Sequence, residues 1–160
     1  MNPIFLQALS LHDIYDNNDE CIHAAADIAA ELGIAGIDIE DRLLATYEPD
    51  YLQELAHQIE GKGVQFGYCG LIVPFNEPVS SIPDEINRVK TLIDALPHLG
   101  IDSIRVPGNG VVDGQTLEFT FDAVRTKFQT ICDYAADASI TVFLHNHNHG
   151  STPSTGKQVL

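Results

Sequence analysis

The sequence predicts an α/β fold of parallel β/α units, five strands forming part of a (β/α)8 barrel, with the last helix cut short. Three observations carry this. Short β-rich runs alternate with longer helical periods, and the strands begin near residues 4, 34, 64, 101 and 140. Even spacing with a helix in each gap argues for a parallel sheet of right-handed crossovers. Polar residues cluster just after the strands, at the end where both barrels and open α/β sheets carry their sites.

Ile4 to Leu9 reads as the first strand. A helix follows from about Asn18, with Ile22, Ala25, Ala29 and Leu32 on one face, and Gly33 ends it. The second strand runs from Ile34 to Glu40. The second helix carries Pro49 in its first turn and places Leu52, Leu55, Ala56 and Ile59 along one stripe. Val64 to Cys69 is the third strand. The third helix starts near Pro83, with Ile86, Val89, Ile93 and Leu96 on its apolar face, and Gly100 stops it. Ile101 to Val106 is the fourth strand, followed by the turn signal Pro107-Gly108-Asn109-Gly110. The fourth helix runs from about Leu117, with Phe121, Val124, Phe128, Ile131 and Ala135 facing inward. Ile140 to Leu144 is the fifth strand. Thr152-Pro153 has the character of an N-cap and first helical residue of a fifth helix, expected to start at Ser154.

Two architectures accommodate this order: a doubly wound open sheet, which five strands complete, or part of a barrel, which needs roughly 250 residues when whole. At 160 residues the chain supplies one partial barrel domain over residues 1–160. The amphipathic helix begun at Ser154 and the polar residues after all five strands favour the barrel. No GxGxxG or GxxxxGK[ST] phosphate loop occurs, which removes the simplest nucleotide-binding open sheets.

Composition narrows the function. The net charge of −15, from 8 Lys and Arg against 23 Asp and Glu, repels phosphate backbones and argues against nucleic-acid binding. The same acidity suits either solubility or the gathering of divalent cations. No apolar run reaches the roughly 18 residues of a membrane helix, and the start lacks the basic region of a secretory signal. Cys21, Cys69 and Cys132 are scattered and form no CxxC pair, so the expectation is a cytoplasmic protein with thiols that serve as small buried hydrophobes.

The sharpest local feature is His145-Asn146-His147-Asn148-His149 at the end of strand five. In an extended segment alternate residues share a face, roughly 6.6 Å apart, so three imidazoles can look one way as a partial divalent-metal site for Zn, Mn or Co. A solvated polar turn is the competing reading. Strand two ends in Asp38-Ile39-Glu40-Asp41-Arg42, with Asp38 and Glu40 on one face and Ile39 toward the helices. Two carboxylates in a barrel mouth bind substrate, support a metal, or pair with Arg42 at the rim. Arg105, inside strand four, either clamps an anionic ligand or pairs with an acid of strand two or three. His12 after strand one and Asn109 after strand four are further candidates for ligand contact.

Three phrases match a known family: Ala29-Ala30-Glu31-Leu32-Gly33-Ile34-Ala35-Gly36-Ile37-Asp38-Ile39-Glu40, Leu99-Gly100-Ile101-Asp102-Ser103-Ile104-Arg105-Val106 and Ile140-Thr141-Val142-Phe143-Leu144-His145-Asn146-His147. In order and spacing they resemble the xylose isomerase-like TIM barrels, the group of sugar phosphate isomerases and epimerases that also includes the AP-endonuclease family 2 proteins. The resemblance runs over nearly the whole chain. It implies a metal-dependent isomerase or epimerase of small sugars, with a divalent metal (Mg included) at the top of the barrel and proton exchange through an enediolate. The resemblance aligns His145 with the family's strand-five carboxylate and Asp38 with its strand-two acid; together with the reading of the residues themselves, the expectation is catalysis by His145 and Glu40, metal binding by His145 and His147, and substrate contacts by His12, Asp38, Arg105 and Asn109. Two departures stand out. The family's strand-five glutamate aligns with His145, which opens lyase or dehydratase chemistry, and strands six to eight are missing. The chain is therefore expected to be incomplete, inactive alone, and prone to self-association through exposed strand edges. The alternatives are a non-catalytic five-stranded module binding a small polyol or anion, and DNA repair, which the charge opposes.

Overall fold

The computed structural model describes residues 3–71, 82–107 and 116–146. Five parallel strands alternate with helices: β1 (Phe5–Gln7), α1 (Asn18–Leu32), β2 (Gly36–Glu40), α2 (Pro49–Glu60), β3 (Gln65–Gly70), α3 (Ile82–Ala95), β4 (Ser103–Pro107), α4 (Leu117–Asp137) and β5 (Thr141–His145). They form one sheet in the order β1-β2-β3-β4-β5. Each strand pairs with its neighbour in sequence, as in a barrel. An open sheet of flavodoxin type would place β1 between β2 and β3. The fold is thus an incomplete TIM barrel.

The sheet is built as its alternation requires. Ile37, Ile39, Phe66, Cys69, Ile104 and Val106 are buried, and they meet buried apolar residues of the helices: Ile22, Ala25 and Ala29 of α1, Leu52, Leu55 and Ile59 of α2, Val89, Leu92 and Ile93 of α3, Val124, Ile131 and Ala135 of α4. The other face is concave and carries the intervening residues. The register pairs Glu40 with Gly70, Gly70 with Arg105, Arg105 with Phe143 and Pro107 with His145. It shifts between Ile37 and Ile39, so that Gly67 and Tyr68 together stand opposite Asp38. No helix among the described residues is long and apolar enough to cross a membrane.

Some expectations need correction. The first strand ends at Gln7, because the Gln7 side chain accepts the Leu9 N–H at 3.4 Å and turns Ala8–Leu11 into a 3-10 segment. Leu32 is 66% exposed and Phe121 36% exposed, although both were read as core. Leu32 stands in the last turn of α1, where the stripe has rotated past the sheet. Cys21 and Cys69 are buried, the former donating to the Ala8 carbonyl at 3.1 Å, whereas Cys132 is exposed. The fifth helix lies outside the described residues.

Candidate functional site

Glu40, the last residue of β2, is the centre of the polar groups on the concave face. Its side chain is only 7% exposed, and a carboxylate so placed is costly unless paired. Arg105, two strands away on β4, donates from Nη2 to Glu40 Oε1 at 3.0 Å. Arg42 Nε approaches Oε2 at 3.1 Å, an ion pair without hydrogen-bond geometry. The same guanidinium reaches β5, with Arg105 Nη1 3.3 Å from His145 Nδ1. Tyr68 lies beside it, its ring centre 5.5 Å from the guanidinium carbon, in cation–π range. Tyr68 Oη in turn accepts from Gln7 Nε2 at 3.3 Å. One arginine thus ties β2 to β5 across β3, with β1 joined through Tyr68.

This bridge depends on the residue between its ends. A Cβ at Gly70 would lie 2.7 Å from Arg105 Nη2 and 3.2 Å from Glu40 Cγ, so the guanidinium reaches the carboxylate only because β3 has no side chain there. Gly67 does the same for Asp38, since a Cβ would fall 2.1 Å from Asp38 Oδ1 and 2.8 Å from the Phe5 ring. Asp38 Oδ1 accepts the Tyr68 backbone N–H at 3.0 Å. Burial pushes the Asp38 carboxyl above its ordinary range, against the opposing pull of that N–H and of Arg105.

A second cluster lies on the rim between the β2–α2 loop and α3. Asp41 is buried and ion-paired with Arg88, whose Nη1 also donates to Tyr47 Oη at 3.4 Å and whose Nε pairs with Glu85 at 3.1 Å. An open cavity of about 670 Å³ borders this cluster. Cys69 is fully buried, and burial first, then Asp41 and Glu40, push its thiol well up. It is no nucleophile.

The structure therefore brings Glu40, Asp38, Arg105 and His145 onto one face at the carboxyl ends of the strands. It does not bring His12 to them. That side chain is exposed beyond the 3-10 turn, and its ionic neighbour among the described residues is Asp13 at 3.7 Å. Asn109 and His147 lie outside the described residues. Arg88, Tyr68, Gln7 and Tyr47 were missed by the sequence reading. Strand alternation gave a signal for Gln7 alone, and the bulge at Asp38 disguised Tyr68.

Among the described residues, no three His, Cys, Asp or Glu side chains are grouped to hold a metal ion. Glu40 faces two arginines, Arg42 and Arg105, and His145 presents Nδ1 to the second of them. The described donor set does not by itself fit the divalent metal that the resemblance implies. A second hollow of about 650 Å³, lined by Phe5, Asp38, Gly67, Ser103 and Phe143 among others, opens toward the amino ends of the strands, the end that serves stability in barrels.

The family model described as xylose isomerase-like TIM barrel matches residues 26–160, and the chain belongs to that family. Among solved structures it is similar to D-allulose 3-epimerase from Methylomonas sp., at 17% identity and a TM-score of 0.72, covering 98% of this chain and 56% of that one. It is also similar to the 3-keto-D-glucoside 4-epimerase of E. coli, at 16% identity and a TM-score of 0.71, covering 94% and 58%. D-psicose 3-epimerase from Clostridium cellulolyticum gives 14% identity and a TM-score of 0.66, covering 80% and 47%. The chain spans about half the length of these proteins. Among curated proteins, none matches by sequence.

Proposed function

We propose that this protein is the amino-terminal half of an isomerase or epimerase acting on small sugars. The observation that supports it best is the Glu40–Arg105–His145 chain of contacts at the carboxyl ends of β2, β4 and β5, in a family whose structural neighbours include sugar epimerases. In this reading Glu40 and His145 face the reacting end of the sugar. Asp38 and Arg105 bind its oxygens, and Asn109, between β4 and α4 in sequence, completes the contacts. The divalent metal that the family resemblance implies draws its ligands from beyond the described residues, with His147 among the candidates. A sugar bearing phosphate fits the same face, since Arg105 and Arg42 stand there as cations.

The test is carbon-bound hydrogen exchange. The protein in its full natural length, supplied with Mn, Co or Zn, is incubated in deuterated water with D-allulose, D-tagatose and D-fructose. Deuterium entering at the carbon beside the carbonyl, followed by NMR, is expected for at least one sugar. No exchange with any sugar under any metal overturns the proposal. The 160-residue chain alone is expected to elute from gel filtration as an oligomer, because β1 and β5 each have one partner strand among the described residues. A clean monomer counts against that.

A further inference from the structure

We infer that Tyr68 binds the substrate, its hydroxyl standing on the concave face as a hydrogen-bond donor to an oxygen of the ligand. The direction of the hydroxyl proton follows from Gln7. Gln7 Oε1 accepts the Leu9 N–H at 3.4 Å, at the start of the 3-10 turn after β1, and this sets which end of the amide is oxygen and which is nitrogen. The nitrogen end donates to Tyr68 Oη at 3.3 Å. A phenol carries one proton, close to the plane of its ring, and the Gln7 donor takes one side of the oxygen. The proton therefore lies on the other side, and no side chain among the described residues accepts it.

The hydroxyl is held in place from three sides. The Tyr68 backbone N–H donates to Asp38 Oδ1 at 3.0 Å, which ties the residue to β2. Its ring centre lies 5.5 Å from the Arg105 guanidinium carbon, and that arginine is bonded to the buried carboxylate of Glu40. Its oxygen is bonded to β1 through Gln7. The half-buried side chain thus runs from β3 past β2 to β1, and its donor is ordered before any ligand arrives.

A tyrosine O–H that loses contact with water needs an acceptor. The carbonyl or a hydroxyl of a small sugar supplies one, and that assignment of ligand class rests on the function proposed above. The contact selects as well as binds. A molecule of the same shape without the matching oxygen leaves the O–H unpaired and is held less tightly. Gln7 is then a positioning residue, acting through Tyr68.

The test is sugar affinity, read by isothermal titration calorimetry with D-allulose, D-tagatose and D-fructose on the protein in its full natural length, supplied with Mn, Co or Zn. Tyr68→Phe keeps the ring beside Arg105 and removes only the hydroxyl. It is expected to weaken binding of at least one sugar about tenfold, the worth of one hydrogen bond. Gln7→Leu breaks the same Gln7–Tyr68 bond but leaves the hydroxyl, so its loss of affinity is expected to be smaller. A hydroxyl that merely braces β1 against β3 predicts equal losses in the two variants, and that result overturns the inference. So does a Tyr68→Phe protein that binds every sugar as tightly as the parent, or a parent that binds none. The function itself is judged by hydrogen exchange. Exchange with no effect of Tyr68→Phe on affinity sinks this inference and leaves the function standing, whereas binding that depends on Tyr68 without exchange does the reverse.

Discussion

β2 and β5 carry the two ends of the same contact chain but live in different surroundings. In β2 both faces are covered: Ile37 and Ile39 are fully buried toward the helices, and Glu40 is buried toward the concave side. In β5 Phe143 is 52% and Leu144 41% exposed, one on each face. The alternation of the two strands looks alike in sequence, so the difference comes from their neighbours. β2 has a strand on either side and two helices behind it, whereas β5 has β4 alone among the described residues. A carboxylate can be held dry at the end of β2 because its surroundings are finished, and the imidazole at the end of β5 lies against an arginine of β4.

That contrast can be broken most strongly at its link. Arg105→Met leaves Glu40 buried with Arg42 as its remaining cation, and removing one partner of a buried pair costs about 3–5 kcal/mol. Urea unfolding of the chain reads this, and a loss below about 1 kcal/mol would mean that the pair is solvated. Next in size is the apolar side. Ile39→Ala empties a fully buried site and is expected to cost about 2–5 kcal/mol, against about 1 kcal/mol or less for Leu144→Ala on β5. Equal losses in thermal unfolding would show β5 to be as well packed as β2. Gly67→Ala drives a methyl into Asp38 and the Phe5 ring and is expected to cost about 1–3 kcal/mol.

The smallest effect is in pH. The folded-state carboxyl of Asp38 titrates above its unfolded value, so the folded chain holds a proton that the unfolded chain has lost. Its contribution falls as pH rises from the ordinary carboxylate value to the raised one, and is level beyond. Asp38→Asn keeps the oxygen that accepts from Tyr68 and removes this fall. Identical slopes of stability against pH in the two proteins would refute it.

Much of the fold was legible because each element carries its own signal. Helix α1 begins at Asn18 and ends at Leu32, where the capping Asn17 and Gly33 put it. Even spacing announced a parallel sheet, and the polar residues after all five strands favoured the barrel order that the sheet has. The site was legible only in part. Alternation placed Asp38 and Glu40 on one face, and Arg105 was named as a partner for an acid of strand two or three. What alternation does not contain is contact at long range. Arg88 meets Asp41 across 47 residues, and Tyr68 reaches the concave face through a bulge that no local pattern announces. Asp41 was read with its neighbours as part of the mouth, yet it faces α3, because the strand ends at Glu40 and the next residues wind into a 3-10 turn.

The missing methyl of Gly70 has a hereditary consequence. Position 70 and position 105 occupy one volume on adjacent strands, and that volume holds either a side chain from the first or a guanidinium from the second. A descendant that gained a side chain at 70 would draw the arginine off both the carboxylate of β2 and the imidazole of β5 in a single step. Changes at these two positions are thus tied in order: the arginine must be given up before the glycine can be, and the chemistry at the end of β5 is then open to alter.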